Sequence, residues 1–378
     1  MNQQNQTISS RQLAFFAAFF LPLGKLLQLP SLLCEGAGGD LLIAATIGIG
    51  AEFIAFLSLF IFCAKTKESP LDFLEKRCGK LASSILYGVF ALFLLVFATL
   101  PLFDLEKFSH AAFSDTSPTF FVFAPFFILS GFICTKGLTA YGRVFDLTPV
   151  LVLLPLLGLI LMGAGQADFS RLLPLMEKPF RVSLKTLWQN ASYFSSGGLL
   201  LPLLCCYRYE EGDGKKILPA FAVGGALTLL FLACFFSLFG LLGSKEHFAV
   251  MKIARYFPAL KLIGRIDLLL VYSVSVALFY YTILPLRLFT ECFQRCFSLK
   301  SRTILSAILS LALYFILLFF NKYTTKIHAF FSKNLSPVFL LFSLILPILF
   351  FVLSFTKVGG RCEVNTKFNR KNKTGEEP

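Results

Sequence analysis

The sequence predicts an all-α polytopic membrane protein of ten transmembrane helices, folded as two inverted halves of five in which helices 1 and 6 are discontinuous. Three observations lead there. Of the 378 residues, 56% are hydrophobic and only 15% charged, with a mean hydropathy of +0.76, whereas about a quarter of residues are charged in soluble domains. Ten apolar runs each approach the roughly 20 residues that a helix needs to cross a bilayer core. The first and sixth runs are interrupted at matching places, and backbone loosened at membrane depth survives only where it is buried in protein or lines a polar cavity. Five spans repeated in tandem must be inverted across the membrane, so the paired interruptions are expected to face one another.

Residues 1–11 are polar and read as a cytoplasmic N-terminus. No small-residue cleavage pattern follows them, so the first span is expected to remain in the mature chain. The first five-helix half occupies 12–165, with spans near 12–33, 41–64, 81–104, 118–135 and 146–165. Its opening run, RQLAFFAAFFLPLGKLLQLP from Arg11 to Pro30, is broken by Pro22, Gly24, Lys25 and Pro30. An extracytoplasmic connection, 166–186, leads to the second half, 187–356, with spans near 187–207, 217–243, 263–290, 302–320 and 337–356. In its first span the run NASYFSSGGLLLP sets Ser195, Ser196, Gly197 and Gly198 ahead of Pro202, and these are the helix-weakening residues of span 6. A basic cytoplasmic tail, 357–378, ends the chain. Lysine and arginine concentrate in the segments this topology leaves inside, among them Lys65, Lys67, Lys76, Arg77 and Lys80, which places both termini in the cytoplasm.

The net charge of +14 is spread over short loops, not along one amphipathic face. It therefore reads as a topology signal, and no nucleic-acid partner is expected. The ten cysteines fall mostly within spans or at their ends, as Cys63, Cys134, Cys205, Cys206 and Cys234 do, where a thiol packs as a small hydrophobe. Cys292 and Cys296 could share a helix face, but no histidine or second cysteine pair completes a metal set. The three histidines, His110, His247 and His328, sit in separate loops. HExxH, GxSxG and phosphate-cradling glycine motifs are missing, so the reading is not an enzyme and needs no cofactor or metal.

Lys25 is the most unusual residue, since an ammonium at mid-membrane costs at least about 2.5–3.5 kcal/mol. It needs a partner. Glu52 lies about 12 residues from the cytoplasmic end of span 2 and Lys25 about 13 residues into span 1, so at 1.5 Å per residue their depths agree within a few ångströms. The expectation is a Lys25–Glu52 ion pair beside the break; the competing reading leaves Lys25 in a watery vestibule. Backbone amides from Gly24 through Lys25 and Leu26 to Leu27 are expected to receive an anionic ligand group at the positive end of a half-helix. The polar backbone of Ser195, Ser196, Gly197 and Gly198 would take the ligand's other end, with Tyr193 and Phe194 as walls or lids.

Several short motifs, in order and spacing, resemble the B subunits of spore germination receptors, a branch of the amino acid, polyamine and organocation transporters. They are ISSRQL from Ile8 to Leu13, Gly24 with Pro30, AGGD from Ala37 to Asp40, Gly79-Lys80, Ser117-Pro118, Tyr141-Gly142-Arg143, LLPL from Leu172 to Leu175, and Arg265-Ile266-Asp267. The resemblance covers about residues 8–356. It implies a leucine-transporter-like fold, a small-molecule germinant such as an amino acid held between helices 1 and 6, and residence in the inner spore membrane with an A subunit and a C lipoprotein as partners. Span 8 of that fold lines a cation site opposite span 1, which marks Tyr272, Ser273 and Ser275 as its polar lining, the competing reading being that the serines satisfy carbonyls of their own helix. Asp267, at the head of span 8, is expected to form a buried ion pair with a basic group of another span or to take part in coupling. Relatives often carry a small residue where this chain has Lys25 and an acid where it has Gly198, so the ligand is expected not to be a standard zwitterion. An amino acid permease, proton-coupled or not, and a structural subunit with a vestigial site are the alternative functions.

Overall fold

The computed structural model describes residues 9–112, 119–135, 143, 155–174, 176–204, 212–256, 267–297, 302–320, 323, 326–327, 330 and 334–355. All regular structure among them is helical. Helix α1 (10–23) contains a π-turn at Phe16–Phe20 and is followed by α2 (Leu29–Ala37), α3 (Leu41–Thr66), α4 (Pro70–Ala112) and α5 (Thr119–Thr135). Next come α6 (Pro155–Ala164), α7 (Phe180–Gln189), α8 (Ser196–Leu204), α9 (Gly214–Phe239) and α10 (Ala249–Tyr256). The described helices end with α11 (Asp267–Phe297), α12 (Arg302–Phe320) and α13 (336–353), the last with a π-turn at Leu341–Ile345.

Four stretches among the described residues are long and apolar enough to cross a bilayer: Leu29–Thr66, Leu81–Leu102, Gly214–Lys245 and Ser336–Leu353. Their neighbours turn apolar faces outward. On α12, Ile304, Ile308, Leu311, Phe315 and Phe319 recur every three or four residues and are all exposed, a stripe that water would penalise and lipid tails do not. The chain is thus an integral membrane protein.

Inside, phenylalanine carries much of the packing. Phe93 of α4 stacks on Phe342 of the last helix at 4.6 Å between ring centres, and Phe90 meets the same ring edge-on. The longest helix contact runs between α4 and α11. Helix α1 lies against α9 so closely that a Cβ on Gly224 would fall 2.7–2.8 Å from the carbonyl oxygens of Ala18 and Ala17; only glycine lets the two backbones approach this far.

Residues 146–154 of the span expected at 146–165 lie outside the described residues, as do the tail 357–378, Cys205, Cys206 and His328.

Candidate functional site

The interruption in the first span is built by its prolines. After Pro22 the chain leaves the helix through tight turns, with Lys25 N–H donating to the Pro22 carbonyl at 2.8 Å and Leu26 N–H to Leu23 at 3.3 Å. Pro30 has no N–H to continue a helix, yet it is well placed in the first turn of a new one, α2. Two of the carbonyls freed between are satisfied inside the protein. Leu27 accepts from Ala249 N–H of α10 at 3.0 Å, and Gln28 from the Ser31 hydroxyl at 2.8 Å. This accounting is what membrane burial demands of irregular backbone. It also corrects the amide expectation: the Lys25 and Leu26 N–H groups are already bonded within the turn.

The second interruption lies earlier than the glycines suggest. Helix α7 ends at Gln189, a 3₁₀ turn covers Ala191–Phe194, and Ser196, Gly197 and Gly198 form the first turn of α8. Gly198 serves packing instead: a Cβ there would come within 2.6 Å of the Phe93 ring. Asn190 and Ser195 tie the break together, donating from their side chains to the carbonyls of Thr186 and Ser192.

Glu52 joins the two breaks. Its Oε2 lies 2.8 Å from Lys25 Nζ, with both side chains about 3% exposed. Its Oε1 accepts from Ser196 N–H at 3.2 Å and from the Ser196 hydroxyl at 2.5 Å. One carboxylate thereby neutralises the ammonium beside the first break and caps the positive end of the half-helix after the second. Lys25 also sits 5.7 Å from the centre of the Phe194 ring, a cation–π distance.

Beside this bridge lies a cleft of about 400 Å³, counting the space at its open side, lined by Gly24, Leu27, Phe97, Leu100, Pro101, Asp104, Ser192, Tyr193 and Tyr281. Its residues come from the first break, from α4, from the second break and from α11. Lys25 and Leu26 are not among them, because the lysine is turned into the Glu52 pair. The Asp104 carboxylate, 5% exposed, faces the hydroxyls of Tyr193 and Tyr281, and the Tyr193 hydroxyl is buried without a well-aligned hydrogen bond. Sequence reasoning missed Asp104, Tyr281 and Ser192. Asp267 and Ser273 fall on α11, but their side chains lie outside the described residues.

Gly24 is the tightest point. A Cβ on it would stand 2.4 Å from Cζ of Tyr281. The Gly24→Ala chain is therefore expected to lose about 1–3 kcal/mol by overpacking, measured as thermal unfolding in detergent. In a Tyr281→Ala background the same Gly24→Ala change should cost little; an undiminished cost there would place the strain elsewhere.

With this geometry in place, the comparison with known families is decisive: a family model described as "Spore germination protein" matches residues 7–327. The chain belongs to the spore germination protein family. The match agrees with the resemblance drawn from its motifs and covers both breaks, Glu52, Asp104 and Tyr281. No curated protein matches the chain.

Proposed function

We propose that this spore germination protein is the ligand-sensing B subunit of a germinant receptor, built on a ten-helix, leucine-transporter-like inverted repeat. It would sit in the inner membrane of the spore with both termini in the cytoplasm, acting with an A subunit and a C lipoprotein. The observation that carries the reading is the cleft between two broken helices, held together by the Lys25–Glu52–Ser196 bridge. A solute bound there touches both halves at once and biases the balance between open and occluded states by its differential affinity for them.

The chemistry of the cleft narrows the ligand. Lys25 is paired with Glu52, so the carboxylate that lines the cleft is that of Asp104. Asp104 supplies from α4 the acid that position 198 lacks, and with the two tyrosine hydroxyls it suits a primary ammonium. The ligand's second polar group meets Ser192 and the turn at Gly24, while Phe97, Leu100 and Leu27 form the apolar wall. This reading restores an amino acid or small amine as the germinant class.

The test uses the full chain in proteoliposomes with a panel of amino acids and amines. Trp188, the single tryptophan, stands at the end of α7 just before the second break and serves as the reporter. Asp104→Asn is expected to weaken binding of an ammonium-bearing ligand by about 10–100-fold, the worth of a hydrogen bond to a charged group. Saturable accumulation of solute by this chain alone would replace sensing with a permease.

A further inference from the structure

Glu52 also lines a second cavity, whose lining shares no residue with the ligand cleft. It spans about 290 Å³, counting the space at its open side, between α3, the second break and the last helix, and is lined by Gly48, Ala51, Glu52, Leu187, Ala191, Phe194, Leu340, Ser343 and Leu344. Nearly all of these groups are apolar. The two polar ones are the Glu52 carboxylate and the Ser343 hydroxyl.

Ser343 is 2% exposed, and its hydroxyl has no hydrogen-bond partner among the described residues. Serines in helices ordinarily donate to a carbonyl one turn back, as Ser58 does to Ile54 and Ser130 to Phe127 here. Ser343 lies in the π-turn Leu341–Ile345, and its hydroxyl makes no such bond. A hydroxyl left buried and unbonded costs about 1–3 kcal/mol, and π-turns of this kind are frequent at functional sites. Glu52, in the same lining, gives one oxygen to Lys25 and the other to Ser196, and a carboxylate can accept more bonds than these.

We propose that this cavity is a buried water site, in which water bridges the Ser343 hydroxyl and the Glu52 carboxylate. Polar groups in one lining and room for a water-sized molecule are what such a site needs; a purely apolar cavity would stay dry. The water gives Glu52 a partner from the last helix in addition to those from α2's approach and from α8. Any shift of the ion pair is then transmitted to the last helix through a hydrogen bond, with Phe194 as the partition between the water and Lys25. The site stands independently of the ligand proposed above, since it needs none.

Radiolytic footprinting of the unliganded full chain tests it, because hydroxyl radicals form wherever bound water is, even in the interior. In the native chain Phe194, beside the cavity, is expected to be labelled well above Phe231, a fully buried phenylalanine of α9. Ser343→Val and Ser343→Thr have nearly the same shape, and only threonine keeps the hydroxyl. Labelling of Phe194 should fall roughly fivefold in the valine chain, the occupancy change set by about one hydrogen bond, and persist in the threonine chain. Ser343→Ala, which cannot clash, repeats the measurement if the valine chain does not fold. Phe194 labelling as low as that of Phe231 in the native chain, or equal in all variants, overturns the proposal.

Discussion

Replacing Glu52 with glutamine is expected to destabilise the chain by about 3–5 kcal/mol, because it takes from the buried Lys25 ammonium the carboxylate 2.8 Å away. Glutamine keeps an oxygen where Oε1 accepts from Ser196, so this variant removes the charge and spares the cap on α8. Glu52→Ala removes both. A further loss of about 0.5–2 kcal/mol is expected for the missing cap. The pair itself contributes less than these figures, since two desolvated ions barely outweigh their own burial cost. The double variant Lys25→Met/Glu52→Gln should therefore recover most of what Glu52→Gln loses. Unfolding in detergent with increasing denaturant reads all three chains. A double variant no more stable than Glu52→Gln would mean that Lys25 does not depend on this carboxylate.

How much of this was legible beforehand can be argued residue by residue. The first break follows from Pro22 and Pro30, whose chemistry forbids a continuous helix whatever surrounds them. The meeting of Lys25 with Glu52 follows from depth arithmetic, since two charges at equal depth in a low-dielectric layer have strong reason to pair. The second break was placed several residues late because Gly197 and Gly198 look like loosened backbone. In the structure Gly198 leaves room for Phe93, and a glycine that permits close packing cannot be told by sequence alone from one that unwinds. Asp104 was missed for a different reason. It is the last residue of the hydropathy-defined span 81–104, where a carboxylate reads as interfacial, but α4 runs on to Ala112 and buries it.

The same misreading of a helix end hides the second large effect. Arg287 lies near the end of the predicted span 263–290, yet α11 continues to Phe297, and the guanidinium is only 1% exposed. Its one ionic partner among the described residues is Glu291 at 3.3 Å, and none of its three nitrogens makes a well-aligned hydrogen bond. Glu291, 16% exposed, is shared with Arg295, which in turn reaches Asp72 of α4 at 3.4 Å and the Tyr87 hydroxyl at 3.3 Å. Charge thus descends from the interior to the surface and clasps α11 to α4, the pair of helices in longest contact.

The two ends of this ladder should respond unequally to substitution. Glu291→Gln strands a fully buried arginine and is expected to cost about 3–5 kcal/mol. Arg287→Met leaves Glu291 with Arg295 and with solvent, and it fills the same volume with an apolar chain. Its effect should be no more than about 1 kcal/mol in either direction. In the Arg287→Met background, Glu291→Gln should in turn become mild, because the stranded charge is gone. Equal losses from the two single variants would show that Arg287 is satisfied by groups other than Glu291, and the clasp between α4 and α11 would then rest on packing alone.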